Sequence, residues 1–247
     1  MTDGNRAPPI YGARSSAHVI DRIASGCPNA PMPDLTLTFD NGPEPEVTPR
    51  VLDILARRGL KTTFFVVGEK LEDPARLDLA RRAHAEGHRI GNHTFTHTTP
   101  LGQMADSAAA VEELRRTDAL VAKTGETGKL FRPFGGGGKL GPHLLSPPVV
   151  DFLHDKGYSC VLWNAIPRDW ADPEGWVETA LQQIAAQDHT LIVLHDLPTG
   201  AMDRLEEFLD KAEAAGVTFR EDYPEDCVPM VAGKDVVPLD PFVATAA

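Results

Sequence analysis

From about residue 34 onward, short apolar runs alternate with amphipathic stretches. Leu35-Thr-Leu-Thr-Phe39 is apolar and β-branched and stops at Asp40-Asn41-Gly42-Pro43, which predicts a strand ending in a turn. Thr48 to Arg58 carries Val51, Leu52 and Leu55 on one face. Pro49 sits just inside its start and Gly59 just past its end, so a helix is predicted there. By the same signals, strands are predicted over residues 62–67, 89–92, 130–134, 159–163, 190–194 and 217–219. Helices are predicted over residues 74–86, 106–123, 149–156, 173–187 and 201–215, with Asp106 as a cap. Strands alternating with helices predict one α/β domain around a parallel sheet whose strands are apolar on both sides. Seven such units between residues 34 and 221 suit a closed or nearly closed barrel better than an open sheet. Residues 1–33 read as an irregular arm with one helical turn near Val19–Ile23. Residues 222–247 carry several prolines and read as a wrapping tail.

Composition narrows the function classes. The 247 residues carry a net charge of −12, which argues against nucleic acid and anionic membrane surfaces as partners. The three cysteines, at 27, 160 and 227, are too few and too widely spaced for a disulfide scaffold or a zinc-finger cluster. The opening MTDGNRAPPIYG has no apolar core of a signal peptide, and no run is long enough to span a membrane. The expected setting is cytoplasmic.

In barrels of this kind, chemistry gathers where strands end at their C-terminal side. Asp40 and Asn41 follow the first strand, His93 and His97 the third, Arg132 lies at the fourth, Asp169-Trp170 follows the fifth, and His195-Asp196 the sixth. Each has a plain reading as well. Asp40 suits a turn cap, His93 and His97 suit two polar loop residues, and Arg132 suits an edge residue whose head reaches water. If Arg132 is buried, it needs a carboxylate partner. His93 and His97 are four apart, a spacing that shares a helical face, and imidazole suits late divalent metals. Asn41-Gly42 is a hairpin pair, but Pro43 and Pro45 leave no partner strand. Five of the seven predicted strands ending in polar chemistry point to a site. Gly136-x-Gly138-x-x-Gly141 fails as a dinucleotide loop because Pro142 follows it, and no Gly-x-Ser-x-Gly elbow occurs.

These segments, in this order, resemble the polysaccharide deacetylases, the NodB-like domain of carbohydrate esterase family four. The motifs are Thr38-Phe39-Asp40-Asn41-Gly42-Pro43, Asn92-His93-Thr94-Phe95-Thr96-His97, Phe131-Arg132-Pro133-Phe134-Gly135, Pro167-Arg168-Asp169-Trp170 and Ile192-Val193-Leu194-His195. The resemblance implies a distorted (β/α)7 barrel. It implies that Asp40 is the catalytic base, held by Arg132, and that His195 is the general acid, oriented by Asp169. It also implies that Asn41, His93 and His97 hold a divalent metal, Zn²⁺ first, with Co²⁺ or Mn²⁺ as alternatives. Phe134, Gly135, Trp170 and Val193 would line the substrate pocket. Two positions depart from the family pattern: Asn41 stands where a metal-ligand Asp is usual, and Gly135 where an aromatic is usual. The implied activity is removal of N-acetyl groups from an amino-sugar oligomer. Two readings stay open beside it: hydrolysis of a small linear or cyclic amide, and a non-catalytic barrel that binds sugar.

Overall fold

A computed structural model describes residues 33–245, so the N-terminal turn near Val19–Ile23 lies outside the described residues. The sheet is built around β1 (Asp34–Asp40). Side chains alternate along a strand. Leu35, Leu37 and Phe39 therefore join the main core with α1 (Thr48–Arg58) and α6 (Leu205–Ala214). Thr36, Thr38 and Asp40 face the other way. The expectation of two apolar faces is corrected here: β1 is buried on both sides, but its inner face is polar. Its groups are satisfied inside the barrel, Thr38 donating to the Ile192 carbonyl at 2.6 Å.

β2 (Thr63–Val66) pairs with the end of β1 on one side, and β6 (His189–His195) pairs with all of β1 on the other. That register sets Asp40 directly opposite His195. β3 (Arg89–Asn92), β4 (Leu130–Phe131) and β5 (Ser159–Cys160) continue in parallel order beyond β2. The wall then returns to β6: Ala165 N–H donates to Leu191 O at 3.2 Å and Val193 N–H to Ala165 O at 3.0 Å. β7 (Thr218–Arg220) lies beside the first residues of β1. The result is the expected distorted (β/α)7 barrel, a single domain. The tail adds an antiparallel pair, β8 (Met230–Val231) and β9 (Lys234–Asp235), to the β5 edge.

Helix ends follow local chemistry. α2 (Pro74–Ala85) starts on an Asp73 cap and α3 (Ser107–Val121) on an Asp106 cap that accepts two backbone N–H groups. α4 (Pro147–Lys156) begins two residues earlier than predicted, because proline is tolerated throughout the first turn, where no N–H has an intrahelical partner. α5 (Trp176–Ala185) begins later than predicted, and the first turn before α6 is 3₁₀.

β4 and β5 are shorter than predicted for a reason that concerns the site. The carbonyls of Val161 and Leu162 accept from the Arg132 guanidinium at 3.2 and 3.0 Å instead of from a strand. On the other side Pro133 has no N–H to give. No helix among the described residues is long and apolar enough to cross a membrane.

Candidate active site

Arg132 is fully buried and settles its own reading: it has the carboxylate partner that burial requires. One guanidinium nitrogen donates to Asp40 Oδ1 at 2.8 Å and to Thr38 Oγ1 at 2.7 Å. The plane lies over the Phe65 ring, 4.1 Å from its centre. Asp40 is therefore held by one oxygen, while Oδ2 stands 3.5 Å from His93 Nε2.

His93 and His97 do not lie on a helix, which corrects the helical-face expectation. They sit on an irregular turn after β3, with Thr94 and His97 both left-handed at φ 64 and 52. Such backbone costs about 1–3 kcal/mol per residue and needs support from its surroundings. Asn92 Oδ1 accepts the Thr94 N–H at 3.0 Å, and its amide donates to Leu114 O at 2.8 Å. Glu113 of α3 accepts from Phe95 N–H at 2.9 Å, Thr96 N–H at 2.7 Å and the Thr96 hydroxyl at 3.0 Å. Sequence reading missed Glu113, which lies on a helix face with nothing local to mark it. The turn brings the two imidazole rings to 4.7 Å, and Phe134 packs against His97 at 3.9 Å.

Both imidazoles are neutral. Burial pushes His93 down to about 3, helped by the nearby Arg132 charge and only partly opposed by its bond to the Arg132 carbonyl. Burial likewise pushes His97 down to about 2. A carbonyl can only accept, so His93 Nδ1 carries the proton in its 2.8 Å bond to Arg132 O, and Nε2 is left with its lone pair.

Asn41 is the third member, left-handed at φ 72, with its own carbonyl held by Lys70 Nζ at 2.7 Å. Its Oδ1 is buried and has no hydrogen-bond partner. Asp40 Oδ2 and His93 Nε2 thus face each other at 3.5 Å as two acceptors, and Asn41, whose Oδ1 is orphaned, lines the same pocket. A set of two imidazoles and a carboxamide oxygen is chemistry that would suit a divalent cation, which His93, His97 and Asn41 would hold. Among the described residues no three His, Cys, Asp or Glu side chains form a group that could hold a metal ion.

The neighbouring strand β6 carries His195. Asp169 is fully buried; its Oδ1 takes the His195 Nδ1–H and its Oδ2 the His195 backbone N–H, both at 2.8 Å. Burial depresses the imidazole pKa, but the bond to Asp169 and the charges of Asp169, Asp40 and Asp196 outweigh it, so the pKa is raised. Trp170 packs edge-on to the ring at 4.6 Å.

Asp40, Asn41, His93, His97 and His195 open on one pocket of about 260 Å³, and all four residues expected to contact substrate, Phe134, Gly135, Trp170 and Val193, line it too. Arg132 and Asp169 stand behind this wall and hold the groups in front of them. Trp163 was not anticipated. A Cβ on Gly135 would fall 2.8 Å from its ring, so Trp163 fills the wall where Gly135 offers no side chain. Its indole N–H is tied to Gly138 O at 3.0 Å. A wider cleft of about 490 Å³, with Glu69, Lys70, Asp73 and Arg76 among its lining residues, adjoins the pocket and shares Asn41, His97 and Leu197 with it.

The family model for polysaccharide deacetylase matches residues 28–161. A chitooligosaccharide deacetylase from Sinorhizobium fredii is 33% identical over 168 residues, covering 66% of this chain and 72% of that protein. A peptidoglycan-N-acetylglucosamine deacetylase from Bacillus cereus is 31% identical, covering 69% of this chain and 74% of its own length. Among solved structures, a polysaccharide deacetylase from Bacillus cereus superposes with a TM-score of 0.65 at 26% identity, over 81% of this chain and 96% of that one. With the matched model covering more than half of the sequence and the motif residues gathered at one barrel mouth, the chain belongs to the polysaccharide deacetylase family.

Proposed function

We propose that the protein removes acetyl groups from N-acetylated amino sugars in an oligosaccharide or polysaccharide, with a divalent metal, Zn²⁺ first among the candidates. The chain is a hydrolase of a carbon–nitrogen bond outside peptides. The observation that carries the finer reading is the convergence of two buried ion pairs, Asp40 with Arg132 and His195 with Asp169, on one small, partly aromatic pocket. Asp40 is anchored through one oxygen by Arg132, and its second oxygen is placed to accept the proton of an attacking water. His195, its Nδ1 tied to Asp169, presents Nε2 to the pocket and can protonate the departing amine. Asn41, His93 and His97 would hold the cation, which when bound would supply Lewis acidity. Trp170, Val193 and Trp163 give the acetyl methyl a dry wall. The adjoining cleft of about 490 Å³ supports a substrate longer than one sugar.

The direct test is acetate release from a length series of N-acetylglucosamine oligomers, with and without added Zn²⁺, Co²⁺ or Mn²⁺. Acetate from the oligomers, dependent on the ion, is expected. Hydrolysis of small linear or cyclic amides alone would move the assignment to the other amidase reading.

Two predictions follow from the site itself. Two neutral imidazoles and a carboxamide bring no charge to a dication, whereas a carboxylate attracts it directly. Asn41→Asp is therefore expected to tighten Zn²⁺ binding by roughly tenfold, about 1.4 kcal/mol, in calorimetric titration. Unchanged affinity would remove residue 41 from the ligand set.

The second concerns pH. His195 must be protonated to act, so activity falls as pH rises through its pKa. Asp169 raises that pKa. Asp169→Asn removes the charge, lowers the pKa, and should move the alkaline limb of the kcat profile to lower pH. An alkaline limb left in place would mean another group governs it.

A further inference from the structure

Asp196 is a buried carboxylate to which the chemistry above gives no part beyond a minor charge effect on His195. It follows His195 at the end of β6, and the β1–β6 register places it beside the chain leaving Asp40. The side chain is fully buried. Its Oδ2 accepts from the Thr48 hydroxyl at the start of α1, and that hydroxyl in turn accepts the Glu44 N–H at 2.7 Å. Its Oδ1 has no hydrogen-bond partner. Both oxygens press on the backbone of Gly42: a Cβ there would fall 2.2 Å from each. Gly42 is not among the left-handed residues, so the glycine is required by space and not by its backbone angles. From the other side Lys70 holds Asn41 O at 2.7 Å. The turn over residues 41–43 is thus seated between the Asp196 carboxylate and the Lys70 ammonium.

We propose that Asp196 is a positioning residue, whose carboxylate fixes the Asn41–Pro43 turn against the end of β6. It thereby sets the placement of Asn41, and of the chain leaving Asp40, relative to the neighbouring His195. The inference rests on the deacetylase reading for what that spacing serves. A misplacement of the order of 1 Å in such a site costs about a hundredfold in rate. The shape of the side chain carries the role, and its ionisation does not.

The test is a double-mutant cycle between residues 42 and 196, with Asp196→Asn as the conservative variant and thermal unfolding followed throughout. Asp196→Ala is expected to lower kcat about a hundredfold with KM held, because alignment acts on the transition state more than on binding. Asp196→Asn, with the same outline and an acceptor for Thr48, should stay within a few-fold of the parent. Gly42→Ala should lose activity alone and regain part of it in the Gly42→Ala/Asp196→Ala double variant, where the methyl finds room. A crystal structure of Asp196→Ala should show residues 41–43 displaced toward the vacated space. The inference is overturned if Asp196→Asn is as inactive as Asp196→Ala, if Gly42→Ala matches the parent, or if the turn is unmoved. A parent that releases no acetate from any acetylated sugar would sink the deacetylase reading instead, and the crystallographic comparison would then decide the role of Asp196 by itself.

Discussion

Asp40→Asn is expected to lower acetate release by about 10²–10⁴-fold, since it removes the one carboxylate that lines the pocket among the described residues. The fold should survive. The guanidinium of Arg132 loses one charged partner but keeps Thr38 Oγ1, the carbonyls of Val161 and Leu162, and the Phe65 ring. The new carboxamide oxygen can still accept from it. Zn²⁺ affinity should largely persist, because Asn41, His93 and His97 are untouched. Turnover near the parent rate in a folded, metal-binding variant would take Asp40 out of the mechanism.

Removing the other half of the pair has a different signature. Arg132→Ala leaves Asp40 as a buried charge without its cation and strips two carbonyls of their donors. Breaking a buried pair from one side costs about 3–5 kcal/mol, against a total stability of about 5–15 kcal/mol for a typical domain. A large fall in the urea midpoint is expected, with activity lost as a consequence. Asp40→Asn in the same chain should recover part of that stability, since it removes the orphaned charge. Fully additive losses in the two variants would mean that the side chains are not energetically coupled.

The parts of this molecule that were legible in the sequence are those fixed by local chemistry. Pro49 and Gly59 mark both ends of α1 at Thr48–Arg58, and β3 at Arg89–Asn92 falls where its apolar run and turn residues place it. The chemical residues were legible because strand ends collect them: Asp40, Asn41, His93, His97 and His195 line one pocket, with Arg132 and Asp169 behind it. What was hidden depends on partners distant in sequence. β4 and β5 stop early because Arg132 takes carbonyls 29 and 30 residues further along the chain. The alternation Leu35-Thr36-Leu37-Thr38-Phe39-Asp40 already carries the polar inner face of β1, but only the buried guanidinium shows why a polar face belongs inside. Glu113 reaches back 17 and 18 residues to support the His93–His97 turn. Trp163 replaces a side chain missing at Gly135, a substitution across two strands that no local pattern announces.

The account rests on hydrolysis at the mouth of the barrel, and one measurement meets that claim directly. The Zn²⁺-loaded parent is incubated with an N-acetylglucosamine oligomer in heavy-oxygen water, and acetate and free amines are quantified together. The account predicts equimolar acetate and amine, solvent oxygen in the acetate, and loss of both products in Asp40→Asn. Oligomer that binds the protein while every acetyl group stays in place would contradict it.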